Sequence, residues 1–330
     1  MLRVCLKSLS AAKIPEVVEV IAALNGKGDA ETAELLRAAA GEYDFLKVLE
    51  LPRTCRGEAR NAALKASRGS WLCFLDDDTE VPPDYFANLA AEIALGGADV
   101  LGGGQTMDEG SVPAFEKAVY FTLSSVLGAG PYRVRFKPFE GRRAAGPEEF
   151  VLCNLALRRS ALERNSLSFE GHLTSAEENL LLNKLAGLGS AMRLSGGLNL
   201  FHRRRSGYGA LARQTFRSGM GRVQITSLYP AGFSFFTAFP GLGLAAFVAG
   251  LVFFPLYMSA AACAFSVPAA ARASGLRTAC VVLSLFPVIH FSYAAGCWWG
   301  IFGMVRDRFS GAKDHSRCVC GKETALTPGR

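Results

Sequence analysis

Trp71-Leu72-Cys73-Phe74-Leu75-Asp76-Asp77-Asp78-Thr79 is the stretch on which the reading of the chain turns. A short uninterrupted apolar run predicts a strand buried on both faces, and three successive carboxylates cannot prolong it into a core without partners. The acids therefore fall just past the strand end. In an open α/β sheet, ligands bind in the crevice beyond the carboxyl ends of the strands, which places Asp76 and Asp78 to share one hard cation. A plainer reading also fits: a solvated acidic turn leading into the helix opened by Pro82-Pro83-Asp84.

Working outward toward the N-terminus, strand and helix alternate. Met1 to Ser10 reads as a helix with Leu2, Cys5, Leu6 and Leu9 on one face, and Val17 to Leu24 as a buried strand ending in the turn Asn25-Gly26-Lys27-Gly28-Asp29. Ala30 to Ala40 is rich in helix formers, Phe45 to Leu51 gives a second strand, and Gly57 to Ser67 a helix that Gly69 stops. This is the pattern of a parallel sheet with crossover helices, so the expected fold is α/β with a mostly parallel, Rossmann-like sheet.

Beyond the triplet, Tyr85 to Leu95 reads as a helix and Asp99 to Gly104 as a strand; Gly102-Gly103-Gly104 lacks the Lys-Ser/Thr of a phosphate loop. Phe115 to Leu127 is amphipathic and suits either core or a membrane interface. Phe150 to Leu157 predicts another strand, and Ser175 to Leu185 a helix. Ser175 can cap that helix with Glu178 three residues on, as in a capping box, which accounts for Glu178 on local grounds.

Composition sets bounds. The 330 residues are 50% hydrophobic and 20% charged, which excludes a disordered or fibrous chain. Nine scattered cysteines suggest buried thiols in a reducing compartment and no disulfide framework; His315, Cys318 and Cys320 lack a second ligand pair at zinc-finger spacing. The net charge of +7 is not arranged as a nucleic-acid-binding module. Its bases flank apolar segments instead: Arg203, Arg204, Arg205, Arg213, Arg217 and Arg222 before them, Arg306, Arg308, Lys313 and Arg317 after, as an anionic membrane surface would favour. Met1 to Ala12 does not read as a signal peptide, because Arg3 and Lys7 interrupt it.

Val223 to Ala271 has no charged residue, and Thr278 to Val305 is uncharged apart from His290. Each exceeds the roughly 20 residues that cross a hydrocarbon core. The expected topology is a transmembrane helical hairpin with both basic flanks in the cytoplasm. The expected organisation is a catalytic domain over 1–200, basic juxtamembrane helices over 201–232, a membrane region over 233–305 and a basic tail over 306–330.

Taken in order, Asn25-Gly26, Ala59-Arg60-Asn61-Ala62-Ala63-Leu64, Phe74-Leu75-Asp76-Asp77-Asp78, Asn154-Leu155-Ala156-Leu157-Arg158-Arg159, Glu177-Glu178-Asn179-Leu180-Leu181, His202 and Arg213 to Arg222 resemble family-2 glycosyltransferases of the glycosyltransferase A fold, of the membrane-attached bacterial type. The resemblance spans about residues 2 to 222, with the family's first strand apparently missing. It implies that Asp76 and Asp78 hold Mg²⁺ or Mn²⁺ on the diphosphate of a nucleotide-sugar donor, and that His202 completes the metal site or is simply a satisfied strand-end histidine. Asp77 belongs to the donor-binding stretch but is expected to point away from the ion. Glu178 falls at the place of the catalytic base with Glu177 beside it, and Asn25, Arg60, Asn61, Gln214 and Arg217 are implied donor-binding residues. Gln214 and Arg217 also fit a basic juxtamembrane helix.

The function implied is inverting sugar transfer to a lipid-linked or polysaccharide acceptor in cell-surface glycan synthesis. The enzyme would be multi-pass in the bacterial inner membrane, in contact with its lipids, with the catalytic domain facing the cytoplasm. A binding or assembly subunit of a polysaccharide complex is the second reading. A transporter is disfavoured by spans almost free of ionisable residues.

Overall fold

The computed structural model describes residues 1–17, 19–26, 30–107, 110, 112–171, 173–229 and 267–309. The expected first span, the tail and the His315, Cys318, Cys320 group lie outside the described residues.

Helix α1 (Leu2–Ala12) buries Cys5, Leu6, Leu9 and Ala12, the face expected from their spacing. It is followed by β1 (Val20–Asn25), α2 (Ala30–Glu42), β2 (Leu46–Leu51), α3 (Arg56–Ala66) and β3 (Trp71–Phe74). Strands β1 and β2 pair in parallel as a separate two-stranded sheet. The side chains of β3 alternate between two cores: Trp71 and Cys73 meet the cluster that holds Leu6, Leu36 and Phe86, whereas Leu72 and Phe74 meet the one that holds Leu162, Leu181 and Leu185. The strand is thus covered on both faces, as its unbroken apolar run predicts.

After β4 (Thr79–Glu80) come α4 (Tyr85–Ala94), β5 (Val100–Gly102), β6 (Gln105–Thr106), α5 (Ala114–Leu123), the short α6 (Val126–Ala129), a 3-10 segment over Gly130–Phe136 and β7 (Arg142–Ala144). Then follow β8 (Leu155–Arg158), α7 (Arg159–Arg164), α8 (Glu177–Gly187), β9 (Met192–Ser195), β10 (Leu200–His202), α9 (Tyr208–Leu228) and α10 (Val267–Phe309).

The main sheet has the order β3-β8-β5-β9-β7, and only β5 and β9 are parallel within it. This corrects the mostly parallel expectation: β8 runs antiparallel to both of its neighbours, as β7 does to β9. An apolar run records burial on two faces and carries no sign of strand direction, so an antiparallel insert leaves no mark on it. The strand expected over Phe150 to Leu157 is also shorter, because Leu152–Asn154 forms a 3-10 turn ahead of β8.

A third sheet, β4-β10-β6, positions the site. In it β10 is antiparallel to β4, with His202 opposite Thr79, and parallel to β6, with Leu200 opposite Gln105. Gly103 and Gly104 let these strands approach, since a Cβ at either would strike the carbonyl of Leu198 or Lys137. Buried Asn154 donates to the carbonyls of Gly104 (3.0 Å) and Leu198 (2.7 Å) and accepts from the Tyr85 hydroxyl (2.7 Å), which ties this sheet to the main one.

Helix α10 breaks at Gly275 (φ 82°), and Ser274–Arg306 is long and apolar enough to cross a membrane. The expected hairpin is not shown, because its other arm lies outside the described residues. One flank of α10 packs on the rest of the chain. Ala279, Val282, Leu285, Phe286 and Ile289 meet Ala118 and Val119 of α5 and Leu211 of α9, which buries the inner face of the amphipathic segment. Gly219 of α9 and Gly296 of α10 allow close backbone approach, and the Cys297 thiol donates to the Gly219 carbonyl at 3.5 Å. Trp298, Trp299, Ile301, Phe302 and Val305 remain exposed. Among the described residues Cys5, Cys73, Cys153, Cys280 and Cys297 are free thiols.

Candidate functional site

The acidic triplet sits in the turn between β3 and β4, held by the Thr79 hydroxyl donating to the Asp76 carbonyl at 2.7 Å. Asp77 is exposed while Asp76 and Asp78 are half-buried, so alternate members face the crevice. Helix α1 braces the turn: the Cys5 thiol reaches the Asp76 carbonyl at 3.7 Å, and Ser8 Oγ accepts from the Val81 amide at 3.2 Å.

Pairing of β10 with β4 brings His202 beside Asp78, with Nε2 3.0 Å from Oδ1. That buried oxygen nevertheless receives no properly directed hydrogen bond. Two ligands at right angles on an ion with bonds of about 2.1 Å also stand about 3 Å apart, so the two atoms are spaced as a Mg²⁺- or Mn²⁺-sized ion requires. Asp76, Cys153 and His202 also present ligand atoms within 4.8 Å of one another. Burial, followed by the charge of Asp76, pushes the Cys153 thiol well above its ordinary value, and the thiol accepts from Gln105 Nε2 at 3.2 Å. A protonated, occupied thiol is a poor ligand for a hard ion. The hard-ion donors of that group are Asp76 and His202, and Asp78 adjoins the same histidine.

The electrostatics separate the two aspartates. Burial raises the Asp76 carboxyl above its usual range. Burial acts on Asp78 in the same sense, but His202 and then Arg205, 3.9 Å away, hold its carboxyl below that range. Gln105 Oε1 lies 3.1 Å from His202 Nδ1, and with Gln105 Nε2 committed to Cys153 that oxygen accepts the ring proton. With the proton on Nδ1, Nε2 would offer a lone pair to an ion placed between it and Asp78. The Arg204 guanidinium, stacked between Tyr120 and Phe136, closes the far side of the histidine and is lowered to about 10 by burial.

The second half of the site is the N-terminus of α8. Ser175 is not its cap: its hydroxyl donates to the Arg217 carbonyl at 2.7 Å, and the cap position is Ala176 in the left-handed region (φ 64°). The local account of Glu178 as a capping-box partner therefore fails. Glu177 is buried and paired with Arg60, whose guanidinium also stacks over Phe169; burial lowers the Arg60 pKa. Glu178 is half-buried and accepts from Asn179 Nδ2 at 2.6 Å through Oε1, so it has a free oxygen and is the acid of the pair that is open to chemistry.

The other expected donor-binding residues are dispersed. Asn25 is exposed at the end of β1, with both ends of its amide spent on the Thr54 backbone at 2.8 Å. Asn61 is likewise spent on the Phe169 backbone, at 2.8 and 2.9 Å. Gln214 is exposed on α9, and the Arg217 carbonyl serves Ser175. The structure brings together Asp76, Asp78, His202, Arg60, Glu177 and Glu178 and does not bring Asn25, Asn61 or Gln214 into their contacts. Sequence reading missed Gln105, Cys153 and Arg135. Three glycines before Gln105 were the available signal for Gln105, since such a run marks close passage of another backbone.

Comparisons with known proteins bear on the fold. The family model for glycosyl transferase family 2 matches residues 1–164. The solved mannosyltransferase PcManGT from Pyrobaculum calidifontis, in complex with GDP-Man and Mn²⁺, is similar at a TM-score of 0.56 and 18% identity, covering 90% of this chain and 82% of that one. S. aureus TarS, solved with UDP-GlcNAc, aligns at a TM-score of 0.49 and 18% identity, covering 94% of this chain and 88% of that one. No curated protein matches the sequence. The α/β architecture is thus that of the glycosyltransferase A fold, and residues 1–164 carry a domain that matches glycosyl transferase family 2.

Proposed function

We propose that the protein is a metal-dependent, inverting glycosyltransferase that moves a sugar from a nucleotide-sugar to an acceptor at a membrane surface, for cell-surface glycan synthesis. Residues 1–200 form its catalytic unit. The observation that carries this reading is the convergence of Asp78 and His202 at 3.0 Å on one side and a half-buried Glu178 on the other.

The Glu178 carboxylate takes the proton of an acceptor hydroxyl as that oxygen forms its bond to the anomeric carbon. The bond from that carbon to the diphosphate oxygen breaks on the opposite face, and the nucleoside diphosphate leaves with the electron pair. Asp76, Asp78 and His202 would hold Mg²⁺ or Mn²⁺, which supplies charge to the leaving diphosphate when bound. Arg205, beside Asp78, adds a fixed positive charge there. Arg60 pairs with Glu177, which leaves Glu178 as the acid open to the reaction. The exposed aromatics on the outer face of α10 suit a bilayer interface, and the expected multi-pass attachment to the inner membrane belongs to the same reading.

The test is titration of the detergent-solubilised chain with a panel of nucleotide-sugars and Mn²⁺, with Asp78→Ala, Asp77→Ala and Glu178→Gln beside it. Asp78→Ala should abolish metal-dependent binding and Asp77→Ala should keep it. Glu178→Gln should bind normally but lower transfer by about 10²- to 10⁴-fold. Binding of no nucleotide-sugar by the intact chain would sink the proposal.

A further inference from the structure

We infer that Cys153 turns the metal group into a capture site for a thiophilic divalent ion of the Zn²⁺ class, which Cys153, His202, Asp76 and Asp78 enclose and which shuts out Mg²⁺ or Mn²⁺. The effect of such an ion on sugar transfer rests on the glycosyl-transfer reading, whereas its capture does not.

Antiparallel pairing places the thiol. Phe74 stands opposite Leu155, so Cys153 lies two residues before Leu155 where Asp76 lies two after Phe74. The turn Leu152–Asn154 that carries the thiol is pinned by the hydrogen bonds of Asn154 to Tyr85, Gly104 and Leu198. Cys153 is a free thiol and 1% exposed. Its sulfur, a carboxylate oxygen of Asp76 and a ring nitrogen of His202 lie within 4.8 Å of one another. Bonds of about 2.0 to 2.3 Å at tetrahedral angles set such atoms about 3.3 to 3.5 Å apart, a change within reach of side-chain torsions. Asp78 Oδ1, 3.0 Å from His202 Nε2 and buried without a hydrogen bond, is the fourth donor at hand.

A hard ion has little use for sulfur, so Mg²⁺ or Mn²⁺ leaves Cys153 unexplained. The surroundings of the thiol suit a softer one. Gln105 Nε2 donates to the sulfur at 3.2 Å while Gln105 Oε1 faces His202 Nδ1 at 3.1 Å, so one buried carboxamide orients both the thiol and the imidazole. The buried Arg204 guanidinium favours the charged form of the sulfur. On binding, the metal–sulfur bond forms as the S–H bond breaks, and the proton passes to solvent. One thiolate and two carboxylates around a doubly charged ion leave a single negative charge, which Arg204 and Arg205 offset, the latter 3.9 Å from Asp78. Four protein ligands complete the shell of a tetrahedral ion, and no position remains for a diphosphate oxygen.

The test is ion titration of the full chain in detergent beside Cys153→Ser, both carrying Cys318→Ser and Cys320→Ser so that the tail thiols take no ion. Thermal unfolding without added ion checks that the variant is folded, and Cys153→Ala takes its place if it is not. Zn²⁺ outcompetes Mn²⁺ at most nitrogen and oxygen sites, so the diagnostic quantity is the effect of the substitution on each ion. Cys153→Ser should weaken Zn²⁺ binding by about 100-fold or more and Mn²⁺ binding by less than about threefold. Cd²⁺ should give an ultraviolet thiolate-to-metal charge-transfer band that the variant loses. In the intact site Zn²⁺ should release bound Mn²⁺ one for one, read from the paramagnetic resonance of free Mn²⁺, and should block nucleotide-sugar binding until a chelator removes it.

Zn²⁺ affinity unchanged by the substitution, a Cd²⁺ band that persists in the variant, equal weakening of Mn²⁺ and Zn²⁺, or nucleotide-sugar binding that Zn²⁺ supports as well as Mn²⁺ does would each overturn the inference. A chain that takes Zn²⁺ through Cys153 but binds no nucleotide-sugar with any ion strikes the glycosyl-transfer reading alone.

Discussion

Removal of one partner from the Arg60–Glu177 pair tests the division of labour between the two glutamates. The Glu177 side chain is 3% exposed and that of Arg60 is 23% exposed, so the acid depends on its partner far more than the base does. In an effective dielectric of about 20, unit charges at contact attract by about 5 kcal/mol, and much of this offsets the desolvation of the carboxylate. Arg60→Met leaves Glu177 charged in a buried pocket and should cost about 3–5 kcal/mol. Glu177→Gln leaves a partly solvated guanidinium and should cost about 1–2 kcal/mol. Because Met and Gln remove both charges together, the double variant should be more stable than Arg60→Met alone. Urea unfolding of the solubilised chain, followed by tryptophan fluorescence with Trp71 inside the sheet, gives the order of midpoints. If Glu177→Gln proves as damaging as Arg60→Met, or the double variant is the least stable of the three, the argument that Arg60 serves a buried acid is refuted. Sugar transfer that survives in Glu177→Gln would place Glu177 outside the chemistry.

Two further outcomes follow from the site and its surroundings. Gln105→Leu removes the acceptor that orients the His202 ring and should weaken Mn²⁺ binding by about 10- to 100-fold, measured by titration of free Mn²⁺. Glu149 is held below its usual value of 4.5, first by the hydrogen bond from Arg143. A carboxyl depressed in the folded state stabilises fully above its unfolded value and loses that contribution as pH falls through its folded value. Glu149→Gln should therefore lower stability at neutral pH and flatten the pH dependence below about 4.5, which thermal unfolding across pH 2 to 7 would show.

The order of elements up to β3 was legible because each left a periodic trace: the i, i+3, i+4 apolar positions of α1, the helix formers of α2 and the unbroken runs of β2 and β3. Strand direction left none, and β8 was misread for that reason. Asp76, Asp78 and His202 stood out as members of an ordered set of motifs, and the pairing of β10 with β4 is what brings His202 beside Asp78. The cap of α8 was misread because Ser175 found a better acceptor in the Arg217 carbonyl, a contact made in space and invisible in a local window. Arg135 was missed for a related reason. Either arginine of Tyr132-Arg133-Val134-Arg135-Phe136 looks like surface, and only the fold shows that Arg135 is buried against Asn179.

The three-stranded sheet of β4, β10 and β6 also orders events in time. Its strands come from residues 79–80, 200–202 and 105–106, so during synthesis the Asp78 carboxylate waits beside an empty edge until the chain has grown past His202. Such long-range pairing forms slowly, because the intervening chain must be ordered before the contact rewards it. A chain ending before residue 200 keeps the acidic turn but has no histidine to face it. Completion of this sheet thus waits for residues 200–202, and on the proposed metal-dependent reading an ion bound there would fasten its two ends together after folding is done.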